Sequence, residues 1–257
     1  MSISKLVRAA LLTALSFVMP AASFAAAPAV KTVLLVHGAW ADGSSWSKVI
    51  PLLKARGFHV VSVQIPLTSL DDDVAATKRA LALESGPLLL VGHSYGGVVI
   101  SQAGNDPKVA GLVFVAAYAP DEGQSGMSLA EMNPTPVGSH IGTPDEFGFL
   151  KLTRTGIFQD FAPGLSNTEK SILFATQIPT SVNSLAAPLP VAPAWKTKPN
   201  WFIVASRDQV ISPQLEESEA LQMNATTLTL PSCHVVMLED PFPVARFIVD
   251  AAETLSH

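Results

Sequence analysis

The sequence predicts an α/β fold with a mostly parallel sheet of about six strands and helices on both faces. Two observations predict it. Short apolar runs alternate along the chain with segments whose apolar residues recur at helical spacing, which is typical of repeated strand-helix-strand units. The short runs are apolar throughout rather than at every second residue, which indicates strands that are buried on both faces.

The elements follow one another as three strand-helix units, a lone strand and two further units. The first strand stops at His37-Gly38 and the first helix stops at Gly57, because glycine interrupts both kinds of element. Three aspartates open the second helix, where they favour the positive end of the helix dipole. The predicted strands are 33–36, 58–63, 88–91, 112–115, 201–205 and 226–230, and the predicted helices are 44–55, 71–83, 95–104, 213–223 and 243–254.

The alternation is interrupted between about residues 120 and 199. This stretch is rich in Gly, Pro, Ser, Met and Phe, has weaker helical patterns at 145–152 and 168–176, and ends in a proline-rich segment at 188–199. A connection of this length without strands is uncommon unless it is functional or disordered. We therefore expect a lid over one end of the sheet, and the alternative is an irregular loop without a role.

The first 25 residues have the three-part layout of a secretory signal peptide. Lys5 and Arg8 precede an apolar run at 9–19, and Ser23 and Ala25 place small side chains at positions −3 and −1 of a cut before Ala26. The apolar run is shorter than the roughly 20 residues that cross a bilayer, which argues against an uncleaved anchor. We expect cleavage after Ala25, a mature domain at 26–257 with no membrane association, and a periplasmic or secreted product.

The composition excludes several classes of protein. The chain is 48% hydrophobic and only 14% charged, which rules out an intrinsically disordered protein. A formal charge of −5 and the absence of a Lys/Arg run argue against nucleic acid as a partner. Cys233 is the sole cysteine in the sequence, so an intramolecular disulfide cannot form.

The candidate nucleophile is Ser94, in the segment Gly92-His93-Ser94-Tyr95-Gly96-Gly97 between a predicted strand and a predicted helix. A sharp strand-to-helix turn forces such a serine into a strained conformation, and glycines on both sides remove clashes with the crossing backbone. A serine hydroxyl is a weak nucleophile at neutral pH, so it needs a base within hydrogen-bond reach and donors for the developing oxyanion. The chain must therefore supply a histidine and an acid.

The candidate base and acid are His234 and Asp208. Each follows a predicted strand, so both emerge with Ser94 at the carboxyl end of the sheet, where open parallel sheets bind ligands. Their order along the chain is the one expected for this motif. His234 would take the proton of Ser94, and Asp208 would orient the imidazole and stabilise its charged form. Asp121, which follows the fourth strand, is a competing acid, and its alternative role is in a solvated turn.

These motifs resemble those of the α/β-hydrolase superfamily, and the resemblance extends from about residue 31 to residue 255. It rests on His37-Gly38-Ala39-Trp40 after the first strand, on the serine motif, on Asp208 and on Cys233-His234. The resemblance implies an α/β-hydrolase fold with a lid insertion. It also implies that the backbone N–H groups of Ala39 and Tyr95 form the oxyanion hole, and that His37 is a structural hydrogen-bonding residue.

Within the superfamily, the segments 37–46 and 233–238 look most like the small methylesterase and hydroxynitrile-lyase branch. The lyases carry a threonine in the oxyanion loop and a lysine after the histidine, where this chain has Gly38 and Val235. The resemblance therefore favours ester hydrolysis over cyanohydrin cleavage. Enzymes of this fold that use an aspartate nucleophile, such as haloalkane dehalogenases and epoxide hydrolases, are disfavoured by Ser94.

Apolar side chains are the candidate pocket residues. Met127, Phe147 and Phe158 of the insertion would form an apolar wall if they face the sheet, and Trp40 could line the acyl side. Each of the three insertion side chains could equally pack the insertion onto the core. The insertion has no basic cluster, which argues against phosphorylated or coenzyme A esters as substrates.

The sequence thus predicts a serine hydrolase that cleaves small, neutral, apolar carboxylic esters through an acyl-enzyme on Ser94, with neither metal nor cofactor. Amidase, lactonase, thioesterase and cofactor-free perhydrolase activities use the same triad and stay open. A non-catalytic ligand-binding protein is the alternative of a different class, although every expected catalytic position is filled.

Overall fold

A six-stranded parallel sheet forms the centre of the molecule. The computed structural model describes residues 30–256, and the predicted signal segment 1–25 lies outside them. Its strands are β1 (Thr32–Val36), β2 (His59–Val63), β3 (Leu88–Ser94), β4 (Val109–Ala117), β7 (Asn200–Ala205) and β8 (Thr226–Leu230). Their order in the sheet is β2-β1-β3-β4-β7-β8, and each neighbouring pair is parallel.

Helices connect these strands and cover the sheet. All residues of β1, β3 and β7 are buried, which requires a covering layer on both faces and explains why these strands are continuous apolar runs. The helices are α1 (Ile50–Ala55), α2 (Leu70–Leu83), α3 (Gly96–Ala103), α4 (Gly126–Met132), α5 (Asn167–Thr176), α6 (Val182–Ala186), α7 (Pro213–Gln222), α8 (Val236–Glu239) and α9 (Pro241–Thr254). The predicted fold class is confirmed.

Local side-chain hydrogen bonds start several of these helices. The Ser69 hydroxyl accepts the backbone N–H of Asp72 at the start of α2. At the start of α5, Ser166 and Glu169 form a reciprocal capping box. Helix α3 is buried on almost every side, which fits its apolar sequence and its position under the nucleophile.

Two predicted helices differ from the structure. The helix expected at 44–55 is a 3-10 turn at Gly43–Trp46 followed by α1, because Pro51 has no N–H to donate to a preceding turn and therefore begins a new helix. The prediction of a helix at 145–152 is wrong. Asp145 Oδ1 instead accepts the N–H groups of Phe147 and Phe149, and this turn leads into a two-residue strand.

The insertion between β4 and β7 contributes no strand to the main sheet. It contains α4, α5, α6, a π-helical turn at Gly156–Phe161 and a small antiparallel pair formed by β5 (Phe149–Leu150) and β6 (Thr180–Ser181). Throughout residues 30–256, no helix combines the length and the apolar character needed to cross a membrane.

Candidate active site

Ser94 lies at the sharp turn between β3 and α3. Its backbone φ is +54°, in the left-handed region that residues other than glycine rarely occupy. Backbone segments approach closely here: a Cβ on Gly92 would lie 2.6 Å from the carbonyl oxygen of Gly96, and a Cβ on Gly96 would lie 2.7 Å from that of His37. Both flanking glycines are therefore required by the turn that presents the serine.

A chain of two hydrogen bonds joins Ser94, His234 and Asp208. His234 Nε2 lies 2.9 Å from Oγ of Ser94, and His234 Nδ1 lies 2.6 Å from Oδ2 of Asp208. The side chains of His234 and Asp208 are fully buried. The second oxygen of Asp208, Oδ1, accepts the backbone N–H groups of Val210 and Ile211 at 2.6 and 3.0 Å. Donors on both oxygens hold the carboxylate, which in turn orients the imidazole toward the serine.

The loop between β8 and α8 holds His234 in place. The carboxylate of Glu239 accepts the backbone N–H of Cys233 at 2.7 Å, and the hydroxyl of Ser232 donates to Asp240. Burial is the main cause that raises the pKa of the Cys233 thiol to about 12. The thiol therefore stays protonated at neutral pH, as expected for a small buried residue.

Two rings pack against the imidazole of His234. The His93 ring centroid lies 4.7 Å away and the Phe161 centroid 5.2 Å away. Nε2 of His93 donates to the backbone carbonyl of His234 at 3.0 Å, since a carbonyl can only accept. Burial lowers the pKa of His93 well below its usual value, so the ring is neutral at physiological pH. His93 thus supports His234 without placing a charge beside it.

His37 has the structural role that the sequence indicated. Its Nδ1 donates to the carbonyl of Gly38 at 2.9 Å, and its Nε2 accepts the backbone N–H of Ile65 at 3.1 Å. Burial lowers the pKa of His37, which favours this neutral tautomer. The ring therefore joins the loop after β1 to the segment after β2.

Two residues beside Ser94 have backbone N–H groups without an acceptor among the described residues. Among residues 30–256, neither Ala39 nor Tyr95 finds an acceptor for its backbone N–H, and both residues line the same cavity as the serine. The adjacent Trp40 has a φ of +56° and donates its own N–H to the Thr180 hydroxyl at 3.0 Å. The strained loop thus leaves the Ala39 donor free at the position expected for an oxyanion hole.

A cavity of about 340 Å³ opens beside the serine. Trp40 and Met127, two of the candidate pocket residues, line it. The insertion supplies much of the remaining wall through α4, the turn that follows it and α6. Each of these segments contributes only one or a few side chains, so no sequence pattern marks them as wall residues. Wall residues missed from the sequence include Tyr118, Val137, Ile141, Leu185 and Val210.

The other two candidate pocket residues, Phe147 and Phe158, do not line this cavity, so their assignment is wrong. Phe147 lies in the turn made by Asp145 and is 76% exposed. Phe158 packs under the guanidinium of Arg154, whose Cζ lies 4.0 Å from the ring centroid. The turn directs the ring of Phe147 outward, and the guanidinium of Arg154 covers one face of the Phe158 ring.

Asp121, the competing acid, is not part of the hydrogen-bonded chain. Its carboxylate pairs with Nζ of Lys196 at 2.5 Å in a partly exposed turn, and it also accepts the N–H of Glu122. The ammonium group of Lys196 lowers the pKa of this carboxyl. Asp121 therefore belongs to a turn at the start of the insertion.

The strand order and the strained serine turn are those of an α/β hydrolase. Residues 33–247 match the model described as the alpha/beta hydrolase family, and the chain belongs to this family. The resemblance stated from the motifs is thereby confirmed. Membership, together with relatives that are hydrolases and esterases, supports a hydrolase of the esterase class.

Two relatives and one solved structure illustrate the similarity. A pyrethroid hydrolase of Sphingobium wenxiniae is 26% identical over 252 residues, covering 87% of this chain and 88% of the relative. Methylesterase 2 of Arabidopsis thaliana is 25% identical over 213 residues, covering 70% and 79% respectively. The crystal structure of polyneuridine aldehyde esterase superposes with a TM-score of 0.76 at 19% identity, covering 87% of this chain and 99% of that one. This last likeness is one of fold.

Proposed function

We propose that this protein is a serine carboxylic-ester hydrolase that cleaves small, neutral, apolar esters. The observation that carries the proposal is the hydrogen-bonded chain from Ser94 through His234 to Asp208, which begins at the wall of an apolar cavity. A nucleophile, a base and an orienting acid in this order are the parts that acyl transfer requires.

In the acylation step, Ser94 Oγ attacks the ester carbonyl while His234 Nε2 takes the hydroxyl proton. The carbonyl oxygen becomes an oxyanion, which the N–H groups of Ala39 and Tyr95 stabilise. The tetrahedral intermediate then collapses, and the imidazolium returns its proton to the leaving alcohol. The products of this step are the alcohol and an acyl ester on Ser94.

In the deacylation step, water replaces the alcohol and attacks the acyl carbonyl. His234 takes one proton from the water, and the same two N–H groups stabilise the second oxyanion. Collapse releases the carboxylic acid and returns the proton to Ser94. Asp208 keeps Nδ1 protonated throughout, so Nε2 is the nitrogen that takes up the proton and returns it in both steps.

The cavity supports a small, uncharged substrate. Its volume is about 340 Å³, and apolar side chains such as Val137, Ile141 and Leu185 form most of its wall. Across residues 30–256, Glu131 is the charged residue of this wall and no Lys or Arg joins it. A carboxylate or phosphate on the substrate would therefore find no cation and would meet a negative charge. The pyrethroid hydrolase and the methylesterase among the relatives support an ester substrate.

Hydrolysis of p-nitrophenyl esters from acetate to dodecanoate tests the proposal, with Ser94→Ala and His234→Ala measured in parallel. We expect kcat/KM to be largest for short acyl chains and to fall by several orders of magnitude in either variant. Circular dichroism should show that both variants keep the fold. Values of kcat/KM for amides, lactones and thioesters, measured in the same way, show which of the reactions that use this triad is fastest.

A phosphonate probe separates an enzyme from a binding protein. The probe should phosphonylate Ser94 rapidly if the triad is active, whereas a protein that only binds ligands would react slowly or not at all. Peptide mass spectrometry should place the label on Ser94. Absence of both labelling and Ser94-dependent hydrolysis would contradict the proposal.

A further inference from the structure

Helix α7 places two buried glutamates behind the acid of the triad. Glu216 is 0% exposed and Glu219 is 4% exposed. Glutamate is almost never fully buried unless it is paired. Among residues 30–256, neither carboxyl forms an ion pair with a Lys or Arg, so their burial needs another explanation.

Glu216 connects β7 to Asp208. Its Oε2 accepts the backbone N–H of Ala205 at 2.9 Å, and the carbonyl of the same Ala205 accepts the backbone N–H of Asp208 at 3.0 Å. This arrangement brings the carboxyl groups of Glu216 and Asp208 into hydrogen-bonding contact. Its other oxygen, Oε1, has no donor from any residue of the range 30–256. A buried carboxyl oxygen without a donor is better accommodated when the group is neutral and carries a proton.

The groups that face Glu216 are acids and a phenol. They are Asp208 in the loop after β7, Glu219 one turn further along α7, and Tyr118 after β4. Asp208 is in turn hydrogen-bonded to His234. Asp208 therefore brings a negative charge close to Glu216, and no Lys or Arg within residues 30–256 forms an ion pair with Glu216 to offset a second carboxylate.

Two carboxyl groups in contact in a buried site cannot both ionise, because desolvation and mutual repulsion oppose the second charge. Asp208 receives three donors, from His234, Val210 and Ile211, whereas Glu216 receives one, from Ala205. The carboxylate with more donors is the better anion, so the shared proton belongs on Glu216. Burial and the charge of Asp208 both raise the pKa of Glu216, which agrees with this assignment.

We propose that Glu216 is a positioning residue that stays neutral and donates its carboxyl O–H to Asp208. This inference rests on the proposed triad, because Glu216 would act on the reaction only through Asp208 and His234. The added donor holds the Asp208 carboxylate and moderates its attraction for the imidazolium. Its role is thus to hold the carboxylate that orients the imidazole of His234.

Glutamine and methionine substitutions separate this role from simple packing. In Glu216→Gln the amide oxygen can accept from Ala205 while the amide nitrogen donates to Asp208, and the side chain is neutral. Glu216→Met keeps a similar length but has neither function. Glu217→Gln is the matched control, since Glu217 is exposed on the same helix.

The experiment is the pH profile of kcat/KM on p-nitrophenyl acetate for the wild type and these three variants. We expect Glu216→Gln to retain most of the activity, with the acidic limb within about 0.3 pH units of the wild type, because no charge is lost. Glu216→Met should lose about tenfold or more at pH 7, with its acidic limb at higher pH. Glu217→Gln should match the wild type.

A direct readout of the proton makes the test independent of activity. Infrared difference spectra between the wild type and Glu216→Gln at pH 7 should show loss of a protonated carboxyl C=O band, and Glu217→Gln should not remove it. The inference is wrong if that band is absent, or if Glu216→Gln moves the acidic limb down by about one pH unit, as loss of a nearby negative charge would. If Ser94-dependent hydrolysis itself were missing, the infrared result would still decide the protonation of Glu216 separately from the proposed function.

Discussion

The phenol of Tyr95 donates a 2.7 Å hydrogen bond to Oδ2 of Asp73, which joins the residue after the nucleophile to helix α2. Oδ1 of the same carboxylate accepts the N–H of Leu67 at 2.6 Å, and Leu67 has a φ of +58°. Burial raises the pKa of Asp73 to about 6. The Tyr95 hydroxyl lowers this pKa and so favours the ionised carboxylate at neutral pH. The bond also anchors Tyr95, one of the two proposed oxyanion donors.

Tyr95→Phe should destabilise the protein and weaken catalysis. Loss of the donor leaves a buried carboxylate oxygen less satisfied, at a cost of about 1–3 kcal/mol in the free energy of unfolding. Urea unfolding at pH 7 measures this cost. Tyr118→Phe is the matched control for stability, since Tyr118 is a tyrosine of the cavity wall and not a donor to Asp73. Equal losses in the two variants would contradict the proposed anchor.

Asp208→Asn should lower kcat by about 10³–10⁴-fold on the best ester with binding largely retained, because the amide favours the wrong imidazole tautomer. Asp121→Asn should leave kcat within about twofold, since its partner is Lys196 at a partly exposed turn. Steady-state kinetics on both variants provide the test. A silent Asp208→Asn together with a damaging Asp121→Asn would reverse the assignment of the acid.

Gly97→Ala should destabilise the fold by about 2 kcal/mol or more, because overpacking against a rigid backbone cannot relax. A Cβ at this position would lie 2.2 Å from the carbonyl oxygen of Tyr118. Gly138→Ala is the control, since a Cβ there would meet nothing within 4 Å. Thermal unfolding compares the two variants, and equal melting temperatures would contradict the close approach.

Glu219→Gln should stabilise the protein increasingly as the pH rises. Burial raises the pKa of Glu219 from an ordinary 4.5 to about 8. Between these values the folded chain holds a proton that the unfolded chain has lost, so wild-type stability falls as the pH rises through this window. Glutamine keeps an acceptor for the backbone N–H of Ala119 and removes the titration.

Urea unfolding at pH 4, 6 and 8 measures this effect on stability. The gain of Glu219→Gln should be near zero at pH 4 and reach a few kcal/mol by pH 8. Glu217→Gln, on the exposed side of the same helix, should show no such trend. A gain that is constant across the three pH values would show that Glu219 titrates normally.

Expression of the full chain in a bacterium with a secretion pathway tests the proposed export. We expect the protein in the periplasm or medium with Ala26 at its N-terminus, because Ser23 and Ala25 satisfy the small-residue rule for cleavage. Intact mass and N-terminal sequencing measure the cut. A full-length chain in the cytoplasm would contradict this prediction.

The order of strands and helices and the serine turn at Ser94 could be predicted from the amino-acid sequence. Buried parallel strands are continuous apolar runs, so β1, β3 and β7 are visible without any knowledge of their neighbours. The contact between Gly92 and Gly96 spans five residues, so its demand for glycine is written locally in the chain. A constraint that acts between residues close together in the chain therefore produces a pattern that can be recognised in the sequence.

Contacts between distant segments distinguish the two candidate acids, and they also distinguish the candidate pocket residues. Asp121 and Asp208 both follow strands at the same edge of the sheet, and packing alone places one on Lys196 and the other on His234. Met127 lines the cavity while Phe147 faces solvent, because the insertion has no regular period that would fix which side chains point inward.

The burial of two acidic side chains, Asp73 and Glu216, could not be predicted from the sequence either. Asp73 belongs to a run of aspartates that the sequence explains by the helix dipole, and Glu216 belongs to a helix that resembles an ordinary acidic surface helix. Asp73 contacts Tyr95 and Glu216 contacts Asp208, which lie 22 and 8 positions away along the chain respectively. Contacts between distant segments set the environment of a carboxyl group, and composition does not encode those contacts.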